Sequence, residues 1–288
     1  MKKFIIIVLI AAAGSVHVSA QRNTHEFSVH GGGGLSTMIY QLPMGERKIG
    51  LGGDFGVGYT LCRTIERVTS TGRIYQEKVG LYTGIGIGMY HAKADLYSDK
   101  PFITKELTDN ENDNFEFRTT FPESDYREMQ SALFLNIPLM AQYQTKQYYA
   151  MAGLKFAIPV NTKYSSKDII LKNEAFYDRY KNWATNQEFQ GCGTFRDKDF
   201  NGKLDLGVSV LLSLEGGMKW RLNRKLTAFA GVYLDYGLNN SYKGSPKYLI
   251  KYDAERPAEF STNSVMSLNA EKVKMMATGI KLRLTMER

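Results

Sequence analysis

Asp197, Asp199 and Asn201, followed at once by Gly202, have the spacing with which a calcium loop begins. Their oxygens would occupy loop positions one, three and five, and the glycine would make the sharp turn. Position twelve, where a bidentate Glu closes the shell, holds Val208. The pattern therefore predicts at most an incomplete, weak calcium site, against the plainer reading of an Asp/Asn/Gly-rich loop leading into a strand. No other cofactor is expected. His30-Gly31-Gly32-Gly33 matches an esterase oxyanion-hole motif superficially, but no Gly-x-Ser-x-Gly elbow accompanies it, and Gly207-Val208-Ser209 lacks the closing glycine. Gly84-Ile85-Gly86-Ile87-Gly88 has the wrong spacing for a nucleotide fingerprint. After the first twenty residues the histidines are His25, His30 and His91, none clustered with Asp or Ser in a long connector. These residues do not assemble a catalytic set, and an enzyme is not expected.

The elements that must position such residues are legible in the alternation of side chains. Over residues 203–222, Leu204, Leu206, Val208, Val210, Leu212, Leu214, Met218, Trp220 and Leu222 share one parity. Asp205, Ser209, Ser213, Glu215, Lys219 and Arg221 share the other. Successive strand side chains point to opposite faces, so this is a strand with one apolar and one polar face. Its length far exceeds the ~5–6 residues usual in soluble sheets. Seven further segments alternate in the same way: weakly at 26–36, where residues 31–34 are all Gly, then at 49–62, 74–91, 126–143, 148–160, 225–238 and 271–286. Connectors at 63–73, 145–147 and 223–225 are short or moderate, whereas 39–48, 95–125, 161–202 and 239–270 are long. An even strand number with short periplasmic turns and long outer loops is the pattern of outer-membrane barrels. The expected fold is an all-β, eight-stranded antiparallel up-and-down transmembrane β-barrel with long extracellular loops. Within the third long loop, residues 173–183 read as a short helix with Phe176, Tyr177 and Tyr180 on one face.

Parity also sorts the charges. Five acids, Glu26, Asp54, Asp205, Glu215 and Asp235, and five bases, Lys155, Lys219, Arg221, Lys281 and Arg283, point inward. An eight-stranded interior is just wide enough for side chains. Buried ions are costly unless paired, so such a balance suits a packed plug and argues against an open diffusion pore. Inward glycines such as Gly84, Gly86, Gly88, Gly231 and Gly279 leave room for the long side chains. Tyr59, Tyr143, Tyr148 and Trp220 point outward beside the short turns, where an aromatic girdle meets the membrane interface. Cys62 falls inward near one end and Cys192 in an outer loop, too far apart for a disulfide, so two free thiols are expected. The acidic run 109–113 and the aromatics of 177–183 read equally as a ligand surface or as solvated spacers.

The first twenty residues read as an export signal. Lys2 and Lys3 precede an apolar run at 4–13, and Val18-Ser19-Ala20 is a small-residue cleavage site. The run is too short for a spanning helix, which needs ~20 residues. Residues 21–288 then form one barrel domain whose net charge falls from +8 to +6 with the loss of Lys2 and Lys3. A surplus so mild and dispersed suits anionic lipid or lipopolysaccharide phosphates and does not call for nucleic acid.

Phe134-Leu135-Asn136-Ile137-Pro138-Leu139, then Tyr149-Ala150-Met151-Ala152-Gly153-Leu154 across a tight turn, carry a family likeness. Leu204-Asp205-Leu206-Gly207 and Gly279-Ile280-Lys281-Leu282 add to it. On these residues the chain resembles the eight-stranded outer-membrane barrels abundant in Bacteroidota, labelled porin-like or PorT-like. The resemblance implies the fold and a Gram-negative outer-membrane location, and little about activity, although one branch serves protein secretion. The expectation is a non-enzymatic structural or surface-interaction protein, with a narrow channel or a secretion-machine component as the alternative. Expected partners are outer-membrane lipid or lipopolysaccharide, with a protein complex as a further candidate. Mass spectrometry of the exported protein should find Gln21 as its first residue.

Overall fold

The computed structural model describes residues 23–68, 74–97, 100–122, 126–269 and 272–288. The expected export signal at 1–20 and residues 69–73 of the first turn lie outside them. The strands are β1 (Asn23–Ile39), β2 (Glu46–Val68), β3 (Ile74–Leu96), β4 (Phe102–Thr108), β5 (Asn114–Thr120), β6 (Tyr126–Gln144) and β7 (Tyr148–Tyr177). They continue as β8 (Asn182–Ala184), β9 (Gly193–Lys203), β10 (Ser209–Arg221), β11 (Leu226–Gly237), β12 (Ile250–Lys251), β13 (Ser261–Thr262) and β14 (Lys274–Glu287).

Eight of them, β1, β2, β3, β6, β7, β10, β11 and β14, pair antiparallel in that order, and β14 pairs back onto β1. The chain is an all-β, eight-stranded antiparallel up-and-down barrel, in which ring pairing gives every wall strand two neighbours and so removes the exposed edges that invite aggregation. Alternation holds along the wall. On β6, Gln130, Asn136 and Gln142 are buried inside while Leu139 and Tyr143 are exposed outside. The outer face is a continuous apolar surface that includes Leu51 (71% exposed), Val232 (65%) and Ile280 (63%).

Beyond the wall the loops are folded. β7, at 30 residues, outruns its partner β6 and continues upward, where it pairs with β5, β8 and β9. Around this mast an apolar cap core gathers Phe115, Phe117, Ile169, Leu171, Phe200 and Val265. In place of the helix expected at 173–183, β7 ends at Tyr177, residues 178–181 turn and β8 returns: Ala175 pairs with Ala184 and Phe176 with Trp183. Partner strands satisfy this backbone on both sides, which outweighs a local helical spacing of aromatics. Among the described residues the helices are three short 3-10 turns, and none is long and apolar enough to cross a membrane.

Residues 204–208 also depart from expectation. They link β9 to β10 as irregular chain with one bridge, Leu206 to Tyr242, and Leu204 and Leu206 are buried in the cap instead of facing outward. Parity is conserved only along an unbroken ladder, and here the ladder stops.

The seam between β1 and β14 depends on close backbone approach. Gly34 lies opposite Gly279. A Cβ at Gly34 would collide with the Thr278 carbonyl and Gly279 Cα, and one at Gly279 with the Gly33 carbonyl. Gly34→Val should therefore cost more than the ~1–3 kcal/mol usual for overpacking, since the obstacle is backbone. Gly33→Ala, whose Cβ would meet nothing nearer than the Gly52 carbonyl at 3.7 Å, should be close to neutral. Urea unfolding of the two refolded variants in detergent checks the contrast.

Candidate functional site

Two places concentrate polar chemistry: the interior of the barrel and a hollow among the outer loops. Inside, β7 and β11 set Lys155 Nζ 2.5 Å from Asp235 Oδ2, with both side chains almost fully buried. Ser213 donates to the other Asp235 oxygen at 2.6 Å. Below, a chain of charges crosses the lumen. Asp54 Oδ2 lies 3.0 Å from Lys281 Nζ, which lies 3.6 Å from Glu215 Oε2, and Glu215 Oε1 lies 3.1 Å from Arg283 Nη2. His30 Nε2 approaches Asp54 at 3.6 Å, and the Tyr149 hydroxyl donates to Glu215 at 3.0 Å. The Arg283 guanidinium sits over the rings of Tyr82, Tyr149 and Phe229 at 5.3, 5.1 and 4.8 Å, the geometry of cation–π attraction.

Near the turn end Lys78 bridges Glu26 (3.0 Å) and Glu287 (2.8 Å). Gln144 donates to Glu26 at 3.2 Å and accepts from Lys219 at 2.9 Å. The middle of this interior holds a cavity of about 20 Å³, lined by His30, Asp54, Lys155, Glu215, Lys281 and Arg283. That is room for about one water molecule.

Eight of the ten expected network residues thus lie inside, Lys219 half-buried at the rim. Two do not. Asp205 sits in the irregular 204–208 link, half exposed and paired with Lys247 at 2.9 Å, because the strand that would have turned it inward begins only at Ser209. Arg221 is exposed at the last position of β10, where it donates to the Asn223 and Arg224 carbonyls and closes the turn. Lys78 and His30 are network members that sequence reasoning missed. Lys78 precedes outward Val79 and was legible by the same parity, whereas the glycines flanking His30 mask its phase. Glu128 was missed likewise. Fully buried on β6, it accepts from Ser264 Oγ (2.6 Å), Val265 N (2.9 Å) and Gln130 (2.9 Å), fastening the last outer loop to the wall.

The calcium-like spacing does not form a calcium loop. Asp197, Asp199 and Asn201 stand on β9, which is laddered to β7 through Lys198–Ile169 and Asn201–Ser165 with a bulge at Asp197 (φ +53). A calcium loop curls its oxygens toward one point, and a strand spreads them along an edge. Asp199 Oδ1 is instead occupied by the Asp168 N–H at 3.1 Å. Among the described residues no three His, Cys, Asp or Glu side chains come together as a metal cage. Tyr143, Tyr148 and Trp220 are exposed on the outer face at the turn end, and Tyr59 accompanies them, its ring 5.3 Å from Phe27 and its hydroxyl 2.6 Å from His25 Nδ1. Cys62 and Cys192 are free and buried. Burial pushes the Cys192 thiol up to about 11, so it is an unreactive packing residue at neutral pH.

The outer hollow joins stretches far apart in sequence. The β4–β5 turn supplies Asp109, Glu111 and Asp113, and the segment from β7 to β8 supplies Tyr177, Tyr180 and Trp183. Phe189 and Tyr252 complete the walls of a pocket of about 460 Å³. Arg179 Nη1 contacts Asp113 Oδ1 at 2.9 Å, and this guanidinium holds the Asp113 carboxyl below the usual carboxylate range. Asp109 Oδ1 accepts the backbone N–H groups of Glu111 (2.9 Å) and Asp113 (3.0 Å), which shapes the turn. Burial lifts the Tyr252 hydroxyl to about 12.

No family model matches the chain, and no curated protein matches it. Among solved structures, the transport unit of the autotransporter AIDA-I from Escherichia coli is similar at 6% identity, over 97% of this chain and 95% of that one, with a TM-score of 0.20. The translocator domain of the autotransporter NalP from Neisseria meningitidis is similar at 8% identity, over 99% and 94%, with a TM-score of 0.15. Likenesses of that size carry no argument, and the fold rests on its own strand pairings.

The buried Lys155–Asp235 pair makes a direct test of the interior. Lys155→Met, which strands the carboxylate, should lower stability by about 3–5 kcal/mol, while Lys155→Met with Asp235→Leu should recover most of it. Urea unfolding of the refolded variants, followed by tryptophan fluorescence, measures both.

Proposed function

We propose that this chain is a non-enzymatic outer-membrane β-barrel protein, a scaffold with a side-chain-filled lumen that holds a folded cap of outer loops at the cell surface. The observation that carries the reading is the inversion of polarity across the wall. Ion pairs fill the inside while Leu51, Phe55, Val57, Ile85, Leu282 and their neighbours lie bare outside. In water an exposed apolar surface of that extent is an aggregation liability, and in a bilayer it is the solvated face. Outward Tyr143, Tyr148 and Trp220 at the turn end suit the headgroup region. The partners on this reading are lipid and lipopolysaccharide around the wall, and a surface ligand or protein complex at the cap.

A structural role is further supported by the use made of the histidines. His25 meets Tyr59, His30 meets Asp54 and Tyr82, and His91 meets the Leu51 carbonyl, so each is engaged in the wall or the lumen. A channel, whether alone or within a secretion machine, would have to part the Asp54–Lys281–Glu215–Arg283 chain.

Refolded protein should migrate differently on unheated and heated gels and should need detergent or lipid to stay in solution. In planar bilayers it should give no steady single-channel steps. Free solubility without amphiphile would sink the membrane reading, and steady conductance would sink the plug.

A further inference from the structure

The pocket in the cap has a composition that selects its ligand. Its volume of about 460 Å³ falls within the roughly 300–1,000 Å³ of small-molecule sites. Aromatic rings from three loop regions, Tyr177, Tyr180, Trp183, Phe189 and Tyr252, form its walls, and Phe189 and Tyr180 are 70% and 58% exposed at its rim. Exposed aromatics at a concave, rigid site keep a large contact area at low entropic cost. Its charge is one-sided: Asp109, Glu111 and Asp113 line it, and none of the described lining residues is Lys or Arg. Arg179, just outside, neutralises one of the three through Asp113. Two carboxylates remain in a concavity of a protein whose overall charge is positive. Such a hollow concentrates cations.

Two of the rings are already engaged by cations of the chain itself. Arg118 lies over Trp183 at 4.1 Å, and Arg179 lies over Tyr180 at 5.5 Å. Those ring faces are taken, and Phe176 packs on Trp183 at 4.9 Å, so a further cation meets chiefly Phe189, 70% exposed at the rim, and the carboxylates. The carboxylates do not converge as a metal cage, so the matching cation is larger than a metal ion and greasy enough for aromatic walls.

We infer that the cap pocket between the β4–β5 turn and the β7–β8 segment binds an organic ammonium ion, with an alkylated amine seated against Phe189 beside Tyr180 and Trp183 and its charge answered by Asp109 and Glu111. This goes beyond the scaffold role and holds whether or not the lumen conducts.

The chain has two tryptophans, and Trp220 faces outward at the other end of the barrel, so Trp220→Phe leaves Trp183 as the reporter. The probes are choline and its uncharged carbon isostere, in which a tert-butyl group replaces the trimethylammonium. Choline should give a saturable fluorescence response that weakens with added salt, and the isostere should not. Asp109→Asn with Glu111→Gln keeps the turn-shaping acceptor and removes both charges, and should weaken choline binding by about tenfold. Phe189→Ala, at an exposed position, should weaken it by a few-fold. Heat-modifiable mobility confirms that each variant is folded, and titration calorimetry with the same probes covers binding that does not reach the indole. Equal responses to the two probes, no saturable binding in either measurement, or unchanged affinity in the folded charge-removal variant would overturn the assignment.

Discussion

Asp235 is 2% exposed and Lys155 3%, and the cavity beside Lys155 admits about one water molecule. Removing water from an ion costs several kcal/mol even after the protein relaxes, so neither group could stand there unpaired. The ion pairs of the lumen follow from that constraint. Four acids, Glu26, Asp54, Glu215 and Asp235, are answered by four bases, Lys78, Lys155, Lys281 and Arg283. Partners come from strands distant in sequence: β2 with β14, β10 with β14, β7 with β11, β1 with β3. The ion pairs thereby act as rungs across the ring, fixing which strands face one another. Glycines make the space. The Tyr82 ring rests where Gly58 has no side chain, and the Tyr149 hydroxyl lies 2.5 Å from where a Gly231 Cβ would be.

The cap depends on the same wall in a different way. β7 continues from the barrel into the loops, with an irregularity at Asp168 (φ +54), so the pairings of β5, β8 and β9 are set by a mast already held in place below. Glu128 fastens the last outer loop from the opposite side. Between these supports an apolar core forms above the mouth, and the pocket opens on its outer flank. Loops built this way carry a site with defined walls, because conserving the mast's position conserves the positions of Tyr177, Trp183 and the turn opposite them.

Much of this is legible in the sequence. Strand number, the inward turn of Lys155 and Glu215, and the free cysteines all follow from counting by two, since a pleated strand cannot do otherwise. Counting failed where its premise failed. At 204–208 the ladder is interrupted, so Asp205 and the two leucines before β10 lost their phase, and at Arg221 the strand had ended. The calcium spacing at 197–202 and the helical spacing at 173–183 were local patterns overruled by partners they could not register, the β7 and β8 ladders. The pocket was half visible, as an acidic run and an aromatic stretch some seventy residues apart, with nothing to say that they meet.

By itself the sequence determined the alternation of surfaces, because side-chain direction along a strand is a local property of the backbone. It also placed most of the lumen's ions, Asp54, Lys155, Glu215, Asp235, Lys281 and Arg283 among them, because a residue's parity is a count. Only the tertiary structure decided which charge meets which, how far β7 climbs, and that Asp109 and Trp183 share a wall. Those are matters of register and loop path, and they are settled by contacts between residues that the chain places far apart.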